Sequence, residues 1–451
     1  MRGEEIRAAR EARGWSAVRT IHALIAAADQ HGVKLMTVPS LKVALSRWEN
    51  GHTNPDALHS RLLAEVLNLP QPDVAIGRAR EYQHNVRDAI TVLDSLVGND
   101  MDDDPALLAS GDATTSPAVV SPDPAQVVTG YLFAQSPGLE IHSEPVRGVV
   151  LADRIRSQVS TMMSMDFQKG GGHVRRSLLR FFRDEVVPQL HAPHPERVRS
   201  EIFSAAAEVA QLLAWTAYDA GRHAAATRYF VQGLRLAEEG NDRLMGARLL
   251  ANLSHQANFI GEFGAAVTYA RAAQSALGTW GTPSVAAMCV MMEARGLASL
   301  SDQRGSAAVL HRAEHLFERR GAVDEPPWIS YYDPAELAGD ASHCFRDLGL
   351  APQTRTFVTD ALTDDTPPRT RALIQVVAGD AALIAGDLEE AGALAAAAIV
   401  NGNGLQSARY LRYLSDFRNR IPAGADQHPS IAEFTDLLHA HYPELASPQH
   451  G

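Results

Sequence analysis

The chain holds only two cysteines, Cys289 and Cys344, in 451 residues. One pair cannot build a disulfide framework, so a reducing compartment is the expectation. Aromatics are scarce at 6%, and valine and isoleucine come singly rather than in strand-like runs. Both features argue against sheet. No run of eighteen apolar residues occurs, so no membrane span is expected. The opening MRGEEIRAAREARG has no apolar core of the secretory kind. A cytoplasmic protein with no membrane partner is expected. Basic charge is also in deficit, at 41 Lys and Arg against 53 Asp and Glu, for a net charge of −12. That balance argues against nucleic-acid binding by the chain as a whole.

Alanine abounds, which favours helix. The length exceeds one compact core, so two or more domains are expected. Charge is unevenly spread. Residues 1–70 balance to +2, leaving −14 for the remainder. A small, mildly basic head on an acidic body suits a module that touches phosphate and a body that does not. Four regions follow: a helical head over 1–70, a connecting helix over 71–97 that could also dimerise, a flexible linker over 98–147 rich in Asp, Pro, Ser and Gly, and a helical body over 148–445.

The body repeats. LLAWTAYDAGRHAAATRYFVQGLRLA (212–237) has a counterpart in LLANLSHQANFIGEFGAAVTYARAAQSAL (249–277), and aligning Gly221 with Gly261 gives a period of 40. Further copies surround Gly349 and Gly386, with a less regular one between. Each copy reads as a helical hairpin. Glycine ends the first helix, small residues allow close approach, and stacked hairpins bury a continuous core.

The segment PSLKVALSRWENGHTNPDALHSRLLAEVLNLP (39–70) carries the clearest functional pattern. On a helix over 40–50, Leu41, Ala44, Leu45 and Trp48 share one face. Lys42, Val43, Ser46, Arg47 and Asn50 point elsewhere, and Ser40 is placed to cap the start. A helix that hides Leu and Trp while showing Lys, Ser, Arg and Asn suits the major groove of double-stranded DNA.

The run LSRWENGHTNP resembles the end of the recognition helix in the Cro/repressor-like helix-turn-helix family, also called XRE, and IRAAREARGWS (6–16) resembles that family's first helix. The segment 16–38 is too long for the family's short second helix and tight turn, which implies an extended helix or an expanded turn. The body resembles tetratricopeptide repeats, although most copies lack the family's Trp and Pro and exceed its usual spacing. Together these resemblances imply an all-α protein, with an N-terminal helix-turn-helix domain and a C-terminal α-solenoid of tetratricopeptide-like hairpins. Such chains are similar to regulators of high-GC Gram-positive bacteria and, distantly, to peptide-pheromone receptors of quorum sensing.

In hairpin stacks the first helix of each pair lines the inner groove. The candidate groove residues are Gln211, Trp215, Tyr218 and Asp219, then Arg248, Asn252, His255 and Asn258, and then Glu336, His343 and Arg346. Asn can donate and accept together, and Trp and Tyr add apolar area, which suits a peptide or small-molecule ligand. Lys169-Gly-Gly-Gly-His173 places glycines before a helix, yet the phosphate-loop order is absent, so a helix–helix turn is the reading. His191 and His194 lack a third metal ligand, and adjacent His343 and Cys344 diverge on a helix. No catalytic residue, metal or cofactor is expected. The expected function is a transcription regulator, a homodimer on operator DNA whose body responds to a ligand or partner. The alternative is an interaction adaptor whose head does not bind specific DNA.

Overall fold

The computed structural model describes residues 3–30, 38–50, 55, 59, 62–63, 66–67, 86–102, 124–134 and 150–446. These residues are helices and turns, with no strand among them. The chain divides into two compact units, Met1–His84 and Asn85–Gly451.

The first unit contains α1 (Gly3–Ala12), α2 (Ala17–Gln30) and α3 (Val38–Glu49). Its core joins Ile6, Ile21, Leu24, Leu41, Leu45 and Trp48 to Leu62, Leu63 and Leu67. These positions recur at three- and four-residue intervals, so each helix turns one oily stripe inward. α2 covers fourteen residues of segment 16–38, while residues 31–37, where an expanded turn was the other expectation, lie outside the described residues. α3 begins at Val38, two residues before the expected start. Ser40 is therefore inside the first turn and is not its cap. The start falls beside Pro39, whose fixed φ and missing N–H suit a first helical position.

The second unit opens with α4 (Val86–Asp102) and α5 (Pro124–Ala134). α5 and the end of α4 occupy part of the stretch expected to be a flexible linker. Leu93, Val97, Val128 and Tyr131 are buried in the main core. Tyr131 packs where a side chain at Gly246 would stand. The composition of 98–147 averages an eleven-residue apolar helix into a polar background, which is why the stretch read as linker. Of the expected connecting helix over 71–97, residues 71–85 lie outside the described residues.

Next come α6 (Val150–Lys169), α7 (Gly171–Phe181) and, after a π-turn over Phe182–Val186, α8 (Val187–His191). Packed pairs follow: α9 (Glu196–Asp219) with α10 (His223–Glu239), α11 (Arg243–Phe259) with α12 (Phe263–Leu277), α13 (Pro283–Ser299) with α14 (Gln303–Phe317), α15 (Pro334–Asp347) with α16 (Ala351–Ala361), and α17 (Pro368–Ala385) with α18 (Leu388–Asn401). α19 (Ala408–Arg420), α20 (Pro429–His441) and α21 (Pro443–Ala446) complete the chain as described.

The turn inside each pair has one geometry. Gly221, Gly261, Gly349 and Gly386 are left-handed, with φ between 72° and 89°. The following N–H reaches back five residues, as from Arg222 to Ala217 O at 2.9 Å and from Glu262 to Ala257 O at 2.8 Å. This double-bonded glycine cap satisfies the last carbonyls of the first helix. In the irregular copy Ser301 takes the same place, at φ 61°, with Asp302 N bonded to Leu297 O at 2.9 Å. Asp242, Asp302, Asp333 and Asp387 then cap helix starts, each accepting a backbone N–H through its side chain.

A serine held left-handed costs about 1 kcal/mol that glycine avoids. Ser301→Gly is expected to stabilise the body by up to about that amount in urea unfolding; a destabilised variant would show that the Ser301 side chain does more than tolerate the turn.

Candidate functional site

In the second unit the first helix of each pair, with α6, α19 and the loop before α15, surrounds a cavity of about 120 Å³. Gln211 and Trp215 enter from α9, Arg248, Asn252 and His255 from α11, and Met288, Met292 and Arg295 from α13. Glu336, Asp340 and His343 come from α15, Arg369 from α17 and Arg409 from α19, while Met163 and Asp166 come from α6 and Tyr331 and Tyr332 from the loop.

The cavity thus brings together Gln211, Trp215, Arg248, Asn252, His255, Glu336 and His343 from the sequence expectation. Tyr218 stands behind the wall, fully buried, with its hydroxyl 3.0 Å from His255 Nδ1. Asn258 does not line the cavity. Asp219 and Arg346 also stay out of it and form ion pairs beside it. Asn252 is less available than a peptide-binding Asn would be, because Gln211 Nε2 donates to its Oδ1 at 2.7 Å.

Sequence reasoning missed how the inner face closes on itself. Arg369, at the start of α17, donates to Asp166 Oδ2 at 2.9 Å and to Asp219 Oδ1 at 2.6 Å. Asp219 ends α9 and also accepts from Ser407 Oγ at 2.8 Å and Gly171 N at 3.0 Å, with Arg409 Nε 3.4 Å away. The first and last helix layers are thereby joined around a buried carboxylate. The three glycines of 170–172 serve this closure. A Cβ on Gly171 would lie 2.9 Å from Thr216 Cα, and one on Gly170 would lie 2.8 Å from Gln406 O. The anion at the start of α7 is the protein's own Asp219. The methionines and the tyrosine pair of ISYYDP, visible in the sequence, were the available signals for the remaining walls.

Burial alone would raise the Asp219 carboxyl, but Arg369 and Arg409, aided by the Gly171 N–H and the Ser407 hydroxyl, hold it below the usual range. Burial raises Asp166 to about 6 against the pull of Arg369, and raises Glu336 to about 7 with help from Asp340. His255 and His343 are pushed well below the usual imidazole value, by burial first and then by Arg295 and other cations. Cys289 and Cys344 are buried thiols raised by burial, which makes poor nucleophiles of them. Among the described residues no group of three or more His, Cys, Asp and Glu is placed to hold a metal ion.

In the first unit, the face of α3 opposite Leu41, Leu45 and Trp48 exposes Lys42, Ser46, Arg47 and Asn50. The side chains of Ser40 and Val43 lie outside what the structure describes. Asn50 is engaged locally, accepting from Arg7 Nη2 and donating to Ser46 O at 2.7 Å. These bonds tie off the end of α3. Glu49, the acid of the RWEN run, is buried and holds Arg10 with two bonds of 2.6 and 3.1 Å. No helix among the described residues is long and apolar enough to cross a membrane. No family model matches the chain, and no curated protein matches it.

Removing one partner of a buried ion cluster leaves the others uncompensated. Asp219→Ala is expected to cost the second unit about 3–5 kcal/mol in urea unfolding, and a near-neutral result would show that the closure is not held here. His255 offers a pH test. Its proton binds at lower pH when folded than near 6.5 when unfolded, so its share of stability is present above that value and is lost as the pH falls below it. His255→Gln should lose less stability than the parent between pH 7 and pH 5, whereas equal losses would mean that His255 does not titrate on unfolding as described.

Proposed function

We propose that this chain is a DNA-binding transcription regulator, with a helix-turn-helix head and an α-solenoid body of tetratricopeptide-like hairpins that senses a ligand. The observation that carries the reading is the division of α3 into two faces. Leu41, Leu45 and Trp48 are buried, while Lys42, Ser46 and Arg47 are exposed and have no ion-pair partner among the described residues. A helix held by its oily side and presenting two cations and a hydroxyl fits a major groove. The Arg10–Glu49 bonds support this use, since they fix the helix end without drawing on the exposed cations. Two copies reading half-sites about one helical turn apart would multiply the specificity of one small head.

The body supplies the second half of the reading. α4 follows the head in the chain and is held to the body through Asp100, which pairs with Arg175 and with Arg222 at 2.8 Å and accepts from Tyr229 OH at 2.7 Å. Arg175 also donates to Leu213 O at 3.0 Å and Thr216 Oγ1 at 3.1 Å on α9. α9 carries Gln211 and Trp215 into the cavity. A ligand that favours one placement of α9 therefore has a physical path, through Arg175 and Asp100, to α4, the first described helix after the head in the chain.

Genomic fragments retained by the full chain provide the test. Their binding is expected to weaken steeply between about 50 and 200 mM salt. Arg47→Ala should lower affinity by about 1–3 kcal/mol with an unchanged thermal melt. Parent-like binding by Arg47→Ala would displace α3 from the DNA interface.

A further inference from the structure

Four arginines line the cavity, and three of them are neutralised where they stand. Arg295 Nη1 lies 2.7 Å from Asp340 Oδ1, Arg369 bonds Asp166 and Asp219, and Arg409 sits beside Asp219. Arg248 is different. It is only 4% exposed, yet no carboxylate among the described residues lies within ion-pair distance of it. Glu208 acts on it from farther off and is committed to Arg156 at 2.8 Å, and burial raises that acid to about 7. The guanidinium of Arg248 instead meets uncharged partners, with the Tyr331 hydroxyl acting on it as well as the ring. Trp328 lies 4.7 Å below it, Tyr331 lies 5.6 Å away, and Met163 Sδ accepts from Nη2 at 3.5 Å. Its buried Nε has no hydrogen-bond partner.

A desolvated cation is costly to leave without an anion. Aromatic faces offset that cost only in part. The guanidinium fork also matches a carboxylate in shape and charge. The cavity also has apolar walls, among them the adaptable Met163, Met288 and Met292 and the ring of Trp215. The cavity is smaller than the roughly 300–1,000 Å³ of common ligand sites, so an extended peptide does not fit within it.

We propose that the cavity takes a small organic monocarboxylate, with its carboxylate on Arg248 and its apolar or aromatic body among the methionines and rings. The inference rests on reading the body as a ligand sensor and names the class of its ligand. The carboxylate can come from a free acid or from the C-terminus of a peptide whose last residue enters.

The test is thermal unfolding of the full chain, followed also by tryptophan fluorescence, with 10 mM phenylacetate, its uncharged analogue phenylacetamide, or acetyl-Ala-Ala-Phe with a free C-terminus. Phenylacetate is expected to raise Tm by about 2 °C or more, and phenylacetamide to leave it unchanged. Arg248→Met should fold and lose the shift. Arg248→Lys, which keeps the charge but not the fork, should keep a smaller one and serves if the methionine variant does not fold. A shift with the peptide acid alone assigns the carboxylate to a peptide terminus on the same anchor. Equal shifts for acid and amide, no shift with either acid, or a full shift in Arg248→Met would overturn the proposal. None of these outcomes bears on DNA retention by the head, so a failure here is distinguishable from a failure of the regulator reading.

Discussion

Asp219 ties helices from opposite ends of the second unit's sequence together. It ends α9, and its partners lie far along the chain, 150 residues away at Arg369 and 188 at Ser407. A fully buried carboxylate survives only when charges and N–H groups surround it. Here two arginines, a hydroxyl and a backbone N–H converge on it, and they come from α17, α19, the loop before α19 and the start of α7. This cluster joins α9 to α17 and to the loop before α19, beside the cavity of about 120 Å³.

The inner face carries many charges and cancels nearly all of them. Arg295 with Asp340 links α13 to α15, Gln211 with Asn252 links α9 to α11, and Arg369 links α17 back to α6 and α9. These bridges set the spacing between layers as well as their charge balance. Arg248 stands out against this pattern, because the pattern has no carboxylate for it. In the first unit the balance runs the other way, with the acid of α3 tied inward to Arg10 and its cations left facing water.

Local patterns were legible in the sequence because local chemistry sets them. The oily stripe of α3 followed from residue spacing, and the turns at Gly221, Gly261, Gly349 and Gly386 followed from a residue that accepts positive φ. Ser301 hid its copy because serine does not announce that conformation. α5 was lost for a different reason, since a mostly apolar helix of eleven residues vanishes when fifty are averaged. α3 as described starts at Val38, ahead of the Ser40 that the sequence offered as its cap. The closure was not legible at all. Nothing local to Asp219 or Arg369 marks them as partners, and only the packing of helices far apart in the chain brings them together.

Selection of random duplex DNA by the purified full chain is the most direct measurement of the central claim, that α3 reads sequence through the face carrying Ser46 and Arg47. The account predicts enrichment of a short inverted repeat whose half-sites lie about one helical turn apart. Recovery of sequences no different from the starting pool, at salt low enough for phosphate contacts to form, would contradict it.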